Sequence, residues 1–235
     1  MRRYSEREIR FIALRTAGNF LVLASFFGLV MTFGPAIENE ITYRVNRARG
    51  ISYVAAGALP VETVGTEVNK PEQTFADIER EGDVRVLTPV DTDFGIIIPK
   101  IAANAKVIPE VDPANYDLYI EALGRGVAHA LGTYFPGEGG NIYLFSHSTD
   151  NFWNVGRYNA LFYLLKELEP GDEINLYYKG RRYMYRVSDT AIVEPTDVQY
   201  LTNPSPGEQV TMQTCWPPGT TFKRLIVIAK PISDL

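Results

Sequence analysis

EQVTMQTCWPPGTTFKRLIVIAK, residues 208–230, reads as two β-strands joined by a tight turn. β-branched and aliphatic residues crowd both ends, and Pro217, Pro218 and Gly219 interrupt the run where a chain reversal needs them. Strands joined by so short a connection are expected to be neighbours, which brings Cys215, at the end of the first, close to Arg224 on the second. With a side-chain period of two, Cys215 shares a face with Gln213 and Thr211, and Arg224 shares one with Ile226 and Ile228. A long cation among apolar neighbours is costly unless it reaches a rim or a partner, so a cleft is expected beside it.

Outward from this pair, short β-rich runs alternate with turn signals from Phe94 onward: FGIIIPKI (94–101), AKVIPEV (105–111), GRGVAHALG (124–132), NIYLFSH (141–147), EINLYYK (173–179) and RRYMYRVSDTAIVEP (181–195). The alternation of Tyr183, Tyr185 and Val187 beside Lys179-Gly180 predicts an antiparallel hairpin. Two helices are expected. DPANYDLYIEAL (112–123) opens on Asp112 as cap with Pro113 next to it. RYNALFYLLKELE (157–169) places Leu161, Leu164, Leu165 and Leu168 at helical spacing before Pro170-Gly171-Asp172 stops it. Some eight strands and two short helices in about 140 residues predict a mostly β fold, a closed or nearly closed barrel.

Upstream, TAGNFLVLASFFGLVMTFGPAI (16–37) carries no charged side chain, and its 22 residues as a helix would reach across a hydrocarbon core of roughly 30 Å. Five arginines precede it within residues 1–15 against Glu6 and Glu8, a local +3 that leaves −8 for the rest of a chain whose net charge is −5. That asymmetry predicts a single-pass protein with a cytoplasmic N-terminus (1–15), a transmembrane anchor (16–37), an extracytoplasmic stalk (38–92) and a folded body (93–235) outside the membrane. A signal peptide would have a shorter apolar region ending at a small-residue cleavage site, so a retained anchor is expected. Within the stalk, PEQTFADIER (71–80) has the composition of a short helix. An acidic body without a basic stripe excludes nucleic acid as a partner.

Cys215 is the only cysteine, so no disulfide can form within the chain. A lone cysteine is ordinarily a small buried hydrophobe, and its neighbours decide otherwise. His147 stands where a strand gives way to the loop STDNFWNVGR, and imidazole can both accept a thiol proton and protonate an amine leaving group. Cys215, His147 and Arg224 together make an acyl-transfer set. His129, the other histidine, precedes a Gly-rich turn and is expected to pack.

TMQTC (211–215) followed by Arg224 resembles the T-L-x-T-C and downstream Arg signature of sortases, and NIYLFSH resembles the sortase strand that ends on the catalytic His. The run IIIPKI, the G-x-x-H-x-x-G-T-x-x-P-G-E-x-G-N stretch at 126–141 and L-x-P-G-D at 168–172 extend the resemblance over roughly residues 93–231. Met212 stands where Leu is usual and Ser146 where Gly commonly precedes the His. The resemblance implies a sortase-like β-barrel and a cysteine transpeptidase with peptidase activity. Its substrate would be a secreted protein bearing a C-terminal sorting signal related to Leu-Pro-x-Thr-Gly. It further implies Cys215 as nucleophile, His147 as proton-transfer partner and Arg224 as oxyanion stabiliser. The amine acceptor would be a cell-wall precursor or a pilin lysine, with no cofactor or metal ligand set. Residues 194–208 match the position of the family's signal-reading loop. Two other readings of the residues stand beside it. One is an L,D-transpeptidase, whose S-x-G-C motif is missing; the other is a membrane-tethered β-barrel binding module in which Cys215, His147 and Arg224 are incidental. A zinc site is disfavoured by one Cys and two His at unsuitable spacing.

Overall fold

Tyr178 faces Arg181 across a two-residue turn in which Lys179 and Gly180 both take positive φ, 49° and 75°, the left-handed pair that matches the twist of a hairpin. This hairpin belongs to a computed structural model that describes residues 5–56, 83–148, 162–203 and 205–232. In chain order the described elements are α1 (Glu6–Ala48), β1 (Ser52–Ala55), β2 (Val84–Leu87), β3 (Phe94–Ile98), β4 (Ala103–Val111), α2 (Tyr116–Leu123), β5 (Val127–Ala130), β6 (Asn141–Phe145), β7 (Glu173–Tyr178), β8 (Arg181–Val193), α3 (Gln199–Thr202), β9 (Gln209–Trp216) and β10 (Lys223–Pro231), with short 3-10 turns at Pro99–Ile101 and Tyr163–Glu167.

Strands β3 to β10 close into the barrel that the sequence pattern predicts, in the order β10-β8-β7-β3-β4-β5-β6-β9. Two neighbouring pairs, β4 with β5 and β6 with β9, run parallel; α2 makes the first crossover. Gly126 enters that crossover against β4 so closely that a Cβ would strike the Lys106 carbonyl, and only glycine fits. Side chains alternate along each strand. Ile142, Leu144, Val210, Met212, Leu225 and Val227 point inward to the main core. Tyr143 and Phe145 point outward to a second cluster with Ala122 and Leu123 of α2, on which Tyr119, Tyr200 and Leu201 pack. The barrel therefore carries a covered patch on its outer wall.

Several local expectations differ. Helix α2 starts at Tyr116, and its cap is Asn115, whose side chain accepts from the Leu118 N–H; Asp112 instead accepts from the Ala114 N–H, a local turn that competes with helix. The described part of the expected helix 157–169 is the single 3-10 turn Tyr163–Glu167, which buries Leu164 and Leu165 against the barrel core. The strand ending in NIYLFSH stops at Phe145, two residues before His147.

Residues 38–48, expected as polar stalk, continue α1, because Glu and Arg are good helix formers and Glu40 pairs with Arg44 one turn on. Gly50, at φ 70°, ends the run. Glu40 also pairs with Lys166 at 2.9 Å, and Tyr43 packs on the core, so this end of α1 is fastened to the barrel. Strands β1 and β2 pair in parallel, and Ala55 packs on Ile97 and Tyr177 of the barrel. The helix expected at 71–80 lies outside the described residues. Within α1, Glu6–Val30 is long and apolar enough to cross a membrane.

Candidate functional site

Cys215 and Arg224 are direct register partners across β9 and β10. Their flanking neighbours Thr214 and Leu225 are buried in the barrel wall, so both functional side chains leave the outer face, with Cβ atoms about 5 Å apart as in any directly opposed pair. The WPPGTT connection is held by Thr220, whose N–H and hydroxyl both donate to the Pro217 carbonyl, at 3.0 and 2.8 Å. Arg224 donates from Nη1 to the carbonyls of Thr221 and Lys223, at 3.1 and 3.0 Å. Its Nε and Nη2 donors have no hydrogen-bond partner among the described residues.

His147 reaches the same place by a different route. Strands β6 and β9 run parallel with Phe145 level with Gln213, so two more residues on each chain bring His147 level with Cys215. The register persists past the end of β6, because the Ser146 N–H donates to the Gln213 carbonyl at 3.2 Å and Thr214 Oγ1 donates to the Ser146 carbonyl at 3.0 Å. Tyr119 of α2 stacks on Phe145 at 5.7 Å and meets the His147 ring edge-on at 6.3 Å. His147 is half-buried.

The three side chains line one groove of about 260 Å³. Its floor is Tyr143, Phe145 and Gln213, with the Tyr143 hydroxyl donating to Gln213 Oε1 at 2.6 Å. One wall is α2, through Tyr119 and Leu123; the opposite wall is the 194–208 segment, through Pro195, Asp197, Val198 and Leu201. That second wall is tied down by Asn141, which donates to the Tyr200 carbonyl at 2.9 Å and accepts from Thr211 Oγ1 at 2.7 Å. Burial raises the pKa of the Tyr119 phenol, with Cys215 adding to the rise and Arg224 opposing it. Burial likewise pushes the Tyr143 phenol up, again against Arg224. Both phenols thus stay neutral beside the thiol. A larger cavity, about 640 Å³, lies between the end of α1 and the Pro99–Ala102 turn and contains none of the three residues.

A family model for the sortase domain matches residues 96–232, more than half of the chain. The chain belongs to the sortase family. Among curated sortases it is similar to Sortase D of Bacillus subtilis (strain 168), 29% identical over 139 residues. That match covers 58% of this chain and 62% of the relative's length. Among solved sortases it is similar to the lid mutant of Sortase A from Corynebacterium diphtheriae, with 28% identity, a TM-score of 0.50 and coverage of 62% of this chain and 72% of that one. It is also similar to sortase C-1 from Actinomyces oris, with 27% identity, a TM-score of 0.51 and coverage of 62% and 75%. Sortases are cysteine transpeptidases.

His129, by contrast, is fully buried and satisfied within the sortase barrel. Its Nδ1 accepts from the Glu110 N–H at 3.3 Å, which leaves the proton on Nε2 to face the Tyr134 carbonyl at 3.0 Å. Phe135 and Phe94 lie against its ring. Burial lowers its pKa. Sequence reasoning missed Tyr119 and the Tyr143–Gln213 pair. The outward alternation of Tyr143 and Phe145 could have found the floor; nothing in the helix pattern distinguished Tyr119 from Tyr116.

Proposed function

We propose that this sortase is a membrane-anchored transpeptidase that cleaves a C-terminal sorting signal through a thioacyl intermediate on Cys215. The observation that carries the reading is the direct pairing of Cys215 with Arg224, with His147 brought level by the β6–β9 register, in one groove on the barrel's outer wall. The signal, related to Leu-Pro-x-Thr-Gly, lies along the groove between α2 and the 194–208 segment. The Cys215 thiolate attacks the carbonyl after the signal's Thr. Arg224 still has Nε and Nη2 donors for the oxyanion, its Nη1 being held by the Thr221 and Lys223 carbonyls. His147 protonates the departing amine. An incoming amine, from a cell-wall precursor or a pilin lysine, then attacks the thioester and releases the thiol.

Residues 16–37 anchor the chain with residues 1–15 in the cytoplasm, as the arginine excess before the span favours. Residues 38–92 link the anchor to a catalytic domain at 93–235 outside the membrane. Full-length protein in detergent, incubated with a library of candidate signal peptides and read by mass spectrometry, tests the reaction. Cys215→Ala must abolish both cleavage and the thioester adduct, because no other thiol exists in the chain. Cleavage by that variant of a peptide the parent cleaves overturns the mechanism.

A further inference from the structure

His147 lies two residues past the end of β6, and the bonds that continue the register there, at Ser146 and Thr214, act on the backbone. They set how far along β9 the histidine sits. They do not choose the direction of its imidazole. A half-buried ring at a strand end has several staggered χ1 wells and a broad χ2, and only some of these aim a nitrogen at Cys215. Proton transfer needs that nitrogen within hydrogen-bond reach of the reacting group.

Tyr119 supplies a wall against which the ring can settle. Its ring meets that of His147 with centroids 6.3 Å apart and planes at 68°, the edge-to-face arrangement that aromatic pairs prefer. The same tyrosine stacks on Phe145, with centroids 5.7 Å apart and planes at 19°. Phe145 and His147 are two residues apart and share the outer face of the barrel, so one ring bridges the last residue of β6 and the histidine beyond it. Tyr119 is itself held in place. It belongs to α2, whose Ala122 and Leu123 are buried in the cluster that contains Phe145. Its hydroxyl makes no hydrogen bond among the described residues, so the ring and not the oxygen makes these contacts.

We infer, on the reading of His147 as proton-transfer partner, that Tyr119 is a positioning residue for that step, its ring bracing the His147 imidazole toward Cys215. The backbone bonds fix the height of the histidine, and Tyr119 fixes the direction in which its ring points. It takes no proton itself, since burial keeps the phenol neutral.

The test is Tyr119→Leu in the full-length protein in detergent. Leucine is a good helix former and stays apolar in the cluster under α2, but it presents no ring to His147. With a fluorogenic signal peptide, kcat should fall about tenfold while KM changes by less than about threefold, because alignment is lost rather than uniform binding. Tyr119→Phe, which keeps the ring, should recover most of the loss. A second readout needs no turnover. In protein carrying isotope-labelled histidine, the His147 ring resonances, assigned by their disappearance in His147→Ala, should move in Tyr119→Leu as the ring current of the tyrosine is removed. They should stay close to their parent positions in Tyr119→Phe, with His129, packed on Phe94 and Phe135, as the reference. A raised KM at parent-like kcat makes Tyr119 a wall for the peptide and overturns the positioning role. Equal losses of kcat in the Leu and Phe variants overturn it as well, since the hydroxyl would then be the working group. Unmoved His147 resonances in Tyr119→Leu do the same. Should Tyr119→Leu fail to fold, Tyr119→Met takes its place in both measurements. If His147→Ala turns over like the parent, the assignment of His147 falls and this role with it, whereas an inactive His147→Ala beside a parent-like Tyr119→Leu overturns the positioning role alone.

Discussion

Replacing Thr214 by Val separates the fold from the alignment of the site. Thr214 is 3% exposed, and its hydroxyl makes one bond, to the Ser146 carbonyl at 3.0 Å. Valine keeps the shape and the β-branch, so strand β9 is not disturbed, but the Ser146 carbonyl loses its donor. A buried acceptor left unpaired costs about 1–3 kcal/mol, and some of this returns as the new methyl is buried. A net loss of about 1–2 kcal/mol lowers the thermal midpoint by roughly 3–8 °C in a domain of this size. The kinetic effect should be larger than the stability effect. The bond is one of two that carry the β6–β9 register past Phe145, the other running from the Ser146 N–H to the Gln213 carbonyl, and its loss loosens the alignment of His147 with Cys215. A misplacement on the order of 1 Å can cost about a hundredfold in rate, so kcat should fall by roughly 10–100-fold with KM little changed. Thr214→Ser, which keeps the donor, should recover most of it. The assay pairs calorimetric unfolding with steady-state cleavage of a fluorogenic signal peptide. A Thr214→Val protein whose kcat stays within twofold of the parent would refute the idea that this bond aligns the histidine, whatever its midpoint does.

Arg224→Lys should lower turnover by on the order of 10²–10³, because a compact ammonium cannot both hold the Thr221 and Lys223 carbonyls and present a planar pair of donors to an oxyanion; parent-like turnover would remove Arg224 from the mechanism. His129 stays neutral in the fold with its pKa lowered from 6.5 by burial, so below about pH 6.5 the unfolded chain binds the proton more readily, and stability should drop by up to about 1.4 kcal/mol per pH unit until the folded value is passed. Midpoints recorded from pH 7.5 to 5 should show that slope in the parent and a flatter one in His129→Gln, and equal slopes would rule the residue out. External protease added to intact spheroplasts should remove the catalytic domain, and full protection of the chain would reverse the assigned topology.

The barrel was legible because period-two alternation and turn residues are local properties: the Lys179-Gly180 hairpin and the pairing of residues 208–215 with 222–230 follow from a few neighbouring side chains each. The parallel pairs were not, since nothing in NIYLF or QVTMQTCW says which distant strand each joins. The polar stretch after the apolar span illustrates the opposite error. Its mixed charge resembles linker, yet the same glutamates and arginines propagate a helix once one has been nucleated upstream, and Glu40 finds Lys166 across a separation of 126 residues. Helix caps failed for a related reason: Asp112 and Asn115 are both good cap residues, and the choice went to the one whose side chain was not already committed to a local turn.

The location of the site on the outer wall explains which of its residues could be found from sequence. Alternation puts Cys215 and Arg224 on the face that the main core does not use, and an apolar barrel wall with a thiol and a guanidinium facing outward must be covered by something for a groove to exist. The cover comes from segments whose patterns carry no chemistry: α2 lays Tyr119 over Phe145 and beside His147, and the 194–208 segment is bound through Asn141 to the same two strands that carry His147 and Cys215. The proposed catalytic residues announce themselves by type near strand ends, whereas the residues that hold them in register, Thr214, Asn141 and Gln213, look like ordinary strand polar groups until their partners are seen. The consequence is an asymmetry in what mutation should reveal. Changes at Cys215 or Arg224 test the chemistry, but a change at Thr214 tests whether the groove is built as a unit, since its hydroxyl acts on the two-residue link between β6 and His147.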